Sequence, residues 1–227
     1  MAATTLPGVV AAILVAGGSG SRLGSDVPKA FVTVAGRTLL EHAASRFVAH
    51  PLVRDLIVVA PSSHREEAGK LVPSAVVVAG GETRQQSVSA GLGVVEPDVE
   101  AVLVHDVARA FVPPEVITRV IGGLALVGAR AAIPIVPVTD TIRRSDPSTG
   151  DLHETVDRST LSAVQTPQGF WRDALVDAHA NALPDATDDA SLIEARGGRV
   201  VAVRGDQRAF KITYPLDLIL AEAVAHE

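Results

Sequence analysis

Residues 11–31 read AAILVAGGSGSRLGSDVPKAF. The stretch begins as an unbroken apolar run, passes into Gly17, Gly18, Ser19 and Gly20, and then presents two cations, Arg22 and Lys29. An apolar run without polar alternation is the pattern of a strand covered on both faces. Glycines directly after such a strand let the backbone approach a ligand closely and aim N–H groups at phosphate oxygens. Arg22 and Lys29 add positive charge where backbone dipoles do not reach, which suits a reaction that gathers negative charge on phosphorus. Taken alone, the loop reads equally well as a solvated turn with two surface cations.

Similar runs recur along the chain: VVAAILVA (9–16), DLIVVAP (55–61), SAVVVAG (74–80), EAVLVHD (100–106), RAAIPIVPV (130–138) and GRVVAVRG (198–205). Helical patterns lie between them. Thr38 with Glu41, and Ser63 with Glu66, have the spacing of a capping box. Leu39, Leu40, Ala43, Ala44, Phe47 and Val48 form the apolar stripe of a helix lying on a sheet. Pro113-Pro114 opens a helix expected over 115–127. This alternation predicts one α/β domain over residues 1–227, Rossmann-like, with a mostly parallel sheet and helices on both faces. Residues 139–160, TDTIRRSDPSTGDLHETVDRST, break the rhythm. They are polar and flank a Pro-Ser-Thr-Gly turn with short alternating runs, which predicts a projecting β-arm.

Composition removes several classes of function. The sequence has no cysteine, so disulfides, thiolate zinc sites and cysteine nucleophiles are excluded. A net charge of −6 argues against a general nucleic-acid binder. GVVAAILVAGG (8–18) has the look of a secretory leader, but no Lys or Arg precedes it, and it is expected to be the first strand. No apolar run has the length of a membrane span. A cytoplasmic enzyme fits these limits.

Two common phosphate loops fail by letter. A dinucleotide fingerprint starting at Gly18-Ser19-Gly20 needs a third glycine where Leu23 stands, and the acidic Glu41 falls inside a predicted helix. The Walker pattern needs Gly-Lys-Ser/Thr at a spacing that neither Gly18 nor Gly20 offers.

The remaining motifs converge. AGGSGSRLG with PKAF, GGETRQQSV, VLVHDVAR, DTIRR, TVDR, AVQTPQGF, TDDAS and FKIT occur in order from about Ile13 to Thr213. In these stretches the chain resembles the sugar-phosphate cytidylyltransferases, above all the branch whose acceptor is 2-C-methyl-D-erythritol 4-phosphate. The resemblance implies transfer of CMP from CTP to that acceptor, with release of pyrophosphate. It implies a glycine loop (Ala16, Gly17, Gly18, Gly20) around the triphosphate, with Arg22 and Lys29 neutralising the reacting α-phosphate. Cytosine would be held near Gly81, Glu82 and Ser87, with Arg84 opening the next helix. The family more often has Asp where Glu82 stands. Asp106 would lie near Mg2+ and the sugar phosphate, and Arg109 near nucleotide or substrate. Thr166, Thr187 and Lys211 match sugar-phosphate contacts, and Lys211 also helps to place the nucleophile. The arm would cross to a partner in a homodimer, carrying Thr141 and Arg158 into the neighbour's site. His105 is read as structural, because an anionic phosphate nucleophile needs no base. Val15-Ala16-Gly17-Gly18 also occurs in the sister branch acting on ribitol 5-phosphate, which stays as an alternative acceptor. A non-catalytic nucleotide binder on the same fold is the alternative from another class.

Overall fold

Each of the apolar runs becomes a strand. The computed structural model describes residues 5–18, 20–181 and 188–226. Its strands are β1 (Val10–Val15), β2 (Thr33–Val34), β3 (Arg37–Thr38), β4 (Val53–Ala60), β5 (Val76–Ala79), β6 (Ala101–Asp106), β7 (Ala129–Pro137), β8 (Ile142–Ser145), β9 (Leu152–Val156), β10 (Ser162–Val164), β11 (Gln168–Trp171) and β12 (Arg199–Arg204). The helices are α1 (Leu39–Val48), α2 (Arg65–Leu71), α3 (Arg84–Leu92), α4 (Pro114–Leu124), α5 (Arg172–Ala180), α6 (Asp189–Ala195) and α7 (Pro215–Ala225).

The main sheet runs β10-β7-β11-β6-β1-β4-β5, with β12 also paired to β7. β1 lies between β4 and β6 and is parallel to both, and the pairs β4–β5 and β7–β12 are parallel as well. Only β11 and β10 run against their neighbours in this sheet among the described residues, β11 by insertion between β6 and β7. The expected mostly parallel sheet with helices on both faces is therefore present. Alternate residues of β1 show why its sequence is continuously apolar. Val10, Ala12 and Leu14 enter the core beneath α1 and α4, while Ala11 and Ile13 enter the core beneath α3, α5 and α6. β4 and β6 divide their side chains between the two cores in the same way.

Local signals decide the helix starts. Thr38 caps α1 in a complete capping box, with its side chain accepting from the Glu41 N–H and the Glu41 carboxylate accepting from the Thr38 N–H. The Ser63 box does not form. Ser63 lies inside a short 3-10 turn (Ser62–His64), its hydroxyl bonds the adjacent His64 ring at 2.9 Å, and α2 starts at Arg65 without a side-chain cap. A second capping box opens α3, where Thr83 pairs with Gln86. α4 starts at Pro114 as its proline predicts, but ends at Leu124, three residues before the expected 127. Gly91 lets α3 lie close on the sheet, since a Cβ there would stand 2.8 Å from Ile13 Cγ2. That contact brings the first turn of α3 to the carboxyl end of β1.

The arm is present as an antiparallel hairpin, β8 against β9, forming a two-stranded sheet of its own. Asp146 and Asp151 close its tip by a backbone hydrogen bond of 3.0 Å.

Candidate active site

A cavity of about 250 Å³ opens beyond the carboxyl ends of β1, β5 and β6. Chain order reverses here: β4 and β5 extend the sheet to one side of β1, while β6 pairs on the other. Such a reversal leaves a crevice between the loops and is the usual ligand position in an open α/β sheet. Ala16, Gly17 and Gly18 form one wall; Gly81, Glu82, Thr83, Arg84 and Ser87 form a second; Asp106, Ala108 and Lys211 contribute to a third. Arg22 and Lys29 also line it.

The glycine loop folds back on itself. The Lys29 N–H donates to the Gly18 carbonyl at 3.0 Å, which ties both ends of the loop together. Gly20 has φ +78°, and a Cβ there would stand 2.9 Å from the Val27 carbonyl oxygen, so both conformation and space require glycine. Arg22 is exposed at the cavity, whereas Lys29 is only 8 % exposed. Lys29 Nζ donates to the Ile212 carbonyl at 2.8 Å. Burial lowers the Lys29 pKa, and the positive charges of Arg22 and Lys211 lower it further. An incoming anion relieves that repulsion.

The second wall is the first turn of α3, whose N-terminal end favours anions. Its backbone donors are partly committed: the Gly81 N–H donates to Ser87 Oγ at 3.2 Å, and the Glu82 N–H to Gln86 Oε1 at 2.7 Å. Ser87 Oγ donates in turn to the Thr83 carbonyl.

Asp106 ends β6 and collects two cations. Lys211 Nζ lies 2.8 Å from its Oδ2 and Arg84 Nε 3.2 Å from its Oδ1. Burial alone would raise this carboxyl's pKa, but the charges of Arg84 and Lys211 outweigh it and hold the group well below the usual carboxylate range. The Asp106 N–H donates to Thr166 Oγ1 at 3.1 Å, and the same hydroxyl bonds His105 Nδ1 at 3.1 Å. His105 is fully buried against Phe47, and burial pushes its pKa down to about 3. It therefore stays neutral, in keeping with a structural part.

Several expected site residues stand apart from the cavity. Arg109 donates to the Ala209 carbonyl at 2.8 Å and the Val164 carbonyl at 3.0 Å, tying together the loops that carry Lys211 and β10. Thr166 is buried beneath Asp106. Thr141 and Arg158 are exposed at the base of the arm. Arg158 donates to the Thr139 carbonyl, while Asp157 caps its own turn by accepting from Ser159, so no Asp157–Arg158 ion pair forms. Thr187 lies outside the described residues. Among the described residues no group of three or more His, Asp or Glu stands together to hold a metal ion, and no helix is long and apolar enough to cross a membrane.

A parallel sheet whose switch point opens on a glycine wall and convergent cations defines a nucleotide-type phosphate site. Comparison with known proteins narrows this class. The family model for 2-C-methyl-D-erythritol 4-phosphate cytidylyltransferase matches residues 10–227. A relative of that name from Rhodococcus opacus is 48 % identical over 221 residues, covering 97 % of this chain and 96 % of its own. The crystal structure of the Thermus thermophilus enzyme of that name superposes with a TM-score of 0.80 at 39 % identity, covering 95 % of this chain and 98 % of that one. A bifunctional IspD/IspF enzyme from Clavibacter michiganensis is 46 % identical, covering 92 % of this chain and 53 % of its own length. The chain belongs to the 2-C-methyl-D-erythritol 4-phosphate cytidylyltransferase family.

Proposed function

We infer that the protein transfers CMP from CTP to 2-C-methyl-D-erythritol 4-phosphate, a step in isoprenoid precursor synthesis. A phosphate oxygen of the acceptor forms a bond to the α-phosphorus of CTP. The bond from that phosphorus to the α–β bridging oxygen breaks, pyrophosphate leaves, and 4-diphosphocytidyl-2-C-methyl-D-erythritol remains. The nucleophile is already anionic, so the work is positioning and charge stabilisation. The observation that carries this reading is the convergence of Arg22, Lys29 and Lys211 on one glycine-walled cavity in a chain of this family.

In this reading Lys29, held on the Ile212 carbonyl, and Arg22 stabilise the charge that builds on the α-phosphate. Lys211, held by Asp106, guides the acceptor phosphate. Gly81, Glu82 and Ser87 surround the base, and the Glu82 carboxylate is free to replace the family's more frequent Asp only if the base is held by backbone groups. Mg2+ belongs to this reading as a nucleotide-borne ion. Asp106 supplies one hard carboxylate at the cavity; each oxygen already accepts from a cation and retains a second lone pair. A single carboxylate with substrate phosphates is an ordinary Mg2+ environment, and the ion would supply charge neutralisation for the substrate phosphates.

The reading also includes a two-fold homodimer, in which the arm carries Thr141 and Arg158 toward the partner's acceptor phosphate. Its support is the arm itself, an exposed hairpin with an arginine at its base, outside the cavity of its own chain. Arg109 and Thr166 then act from behind, fixing the Lys211 loop and Asp106. Two substrates that are charged phosphate esters support a cytoplasmic location.

Pyrophosphate release from CTP and Mg2+ tests the reading, with 2-C-methyl-D-erythritol 4-phosphate and ribitol 5-phosphate compared as acceptors. Release with the first alone is expected. Release with ribitol 5-phosphate alone would move the protein to polyol-phosphate activation, and silence with both would make it a nucleotide binder.

A further inference from the structure

Behind Arg84 lies a buried chain of polar groups that the transfer reaction does not itself require. Asp189, in the first turn of α6, is 1 % exposed. Its Oδ2 accepts from Arg84 at 2.6 Å and its Oδ1 from His179 Nε2 at 2.9 Å. His179, on α5, is itself buried in its side chain, and its Nδ1 lies 3.0 Å from Ser89 Oγ on α3. The His179 ring is thus held from both sides, with Nε2 facing the Asp189 carboxylate and Nδ1 facing the Ser89 hydroxyl. Arg84 thus spans two carboxylates, Asp189 below and Asp106 at the cavity, and Asp106 in turn holds Lys211.

We propose that Asp189 is a positioning residue for cytidylyl transfer: oriented by His179, it fixes the Arg84 guanidinium and through it the Asp106–Lys211 pair. An arginine held by one carboxylate still pivots, whereas one held by two has its plane fixed. Removing the lower carboxylate frees Arg84 to turn fully onto Asp106 and compete with Lys211 for it. The displacement falls on the acceptor side of the cavity and leaves the glycine loop in place. The effect is therefore expected chiefly in turnover. This inference rests on the cytidylyltransferase reading.

Steady-state kinetics of Asp189→Asn, Asp189→Glu, His179→Gln and His179→Leu test it, each with thermal melting as a control for folding. For Asp189→Asn we expect kcat to fall about 10- to 100-fold, the usual range for a supporting partner of a functional group. Asp189→Glu restores part of that loss. His179→Gln keeps a donor toward Asp189 and holds kcat close to the parent, whereas His179→Leu lowers it. A folded Asp189→Asn with kcat within about twofold of the parent overturns the proposal. Should Asp189→Asn not fold, the two His179 variants decide, and equal kcat for Gln and Leu overturns it. Inactivity of the unmutated protein with both acceptors strikes the cytidylyltransferase reading instead.

Discussion

The cavity and the arm are built by opposite means. Contacts that shape the cavity join residues far apart in the chain: Lys29 reaches Ile212 across 183 positions, and Lys211 and Arg84 reach Asp106 and Asp189 across 105 each. Those side chains are held before any ligand arrives, which lowers the reorganisation needed in the transition state. The arm is held by near neighbours. Arg144 pairs with Glu154 and Arg143 with the His153 carbonyl, each ten positions on, and Leu152 is 61 % exposed. A two-stranded hairpin of this kind is marginal by itself in water. The difference teaches where each region finds its order: the cavity from contacts across the chain, the arm from near neighbours.

The largest expected effect removes the cavity's buried cation. Lys29→Ala should retain its fold and lose about 100- to 1000-fold in kcat, the cost of one preorganised donor. Near-parental turnover would remove Lys29 from the reaction. Arg158→Ala comes next, with an expected loss of roughly 10- to 100-fold, as for a charged hydrogen bond to phosphate. Mixing the two impaired variants in equal amounts sharpens the contrast. If the arm serves its partner, half the dimers are mixed and each carries one intact site, so the mixture recovers about a quarter of parental activity. No recovery would return the arm to its own chain.

A smaller effect separates the core from both regions. His50, whose ring bonds Thr118 at 2.9 Å, has its pKa lowered by burial, as does His105. The unfolded chain takes up these protons below about pH 6.5 while the folded chain resists them, so stability should fall as pH drops from 7.5 to 5. Urea denaturation at the two values measures this, and His50→Gln should reduce the difference; an unchanged slope would clear His50 of it. Smallest is the cap of α1, where Thr38→Ala should cost about 1 kcal/mol of stability without altering kcat.

Much of this was legible in the sequence. Strands covered on both faces announce themselves by runs such as VVAAILVA, and the order of strands and helices follows from them. The glycine loop with Arg22 and Lys29 is a local signal of glycine, strand end and cation, yet alone it read equally well as a solvated turn until the other motifs joined it. β11 was not legible. It is short, begins with the buried polar Gln168, and gains its place by pairing with β6 and β7. Periodicity says nothing of such a strand. The Thr83-Gln86 box carried the same signal as Thr38-Glu41, while the Ser63 box shows that spacing yields when the preceding turn takes the serine. Arg84 with Asp189, and the burial of Lys29, depend on contacts that no window of sequence contains.

The cavity also reverses the sign of the molecule. The chain carries a formal charge of −6, yet Arg22, Lys29, Arg84 and Lys211 outnumber Glu82 and Asp106 in the lining. A concave cationic patch within an acidic body focuses the field at its mouth. A compact polyanion such as a nucleoside triphosphate meets that focus directly, while a long one also meets the field of a chain whose net charge is −6. That arrangement favours a free nucleotide over a nucleic acid, and added salt should weaken capture of the nucleotide.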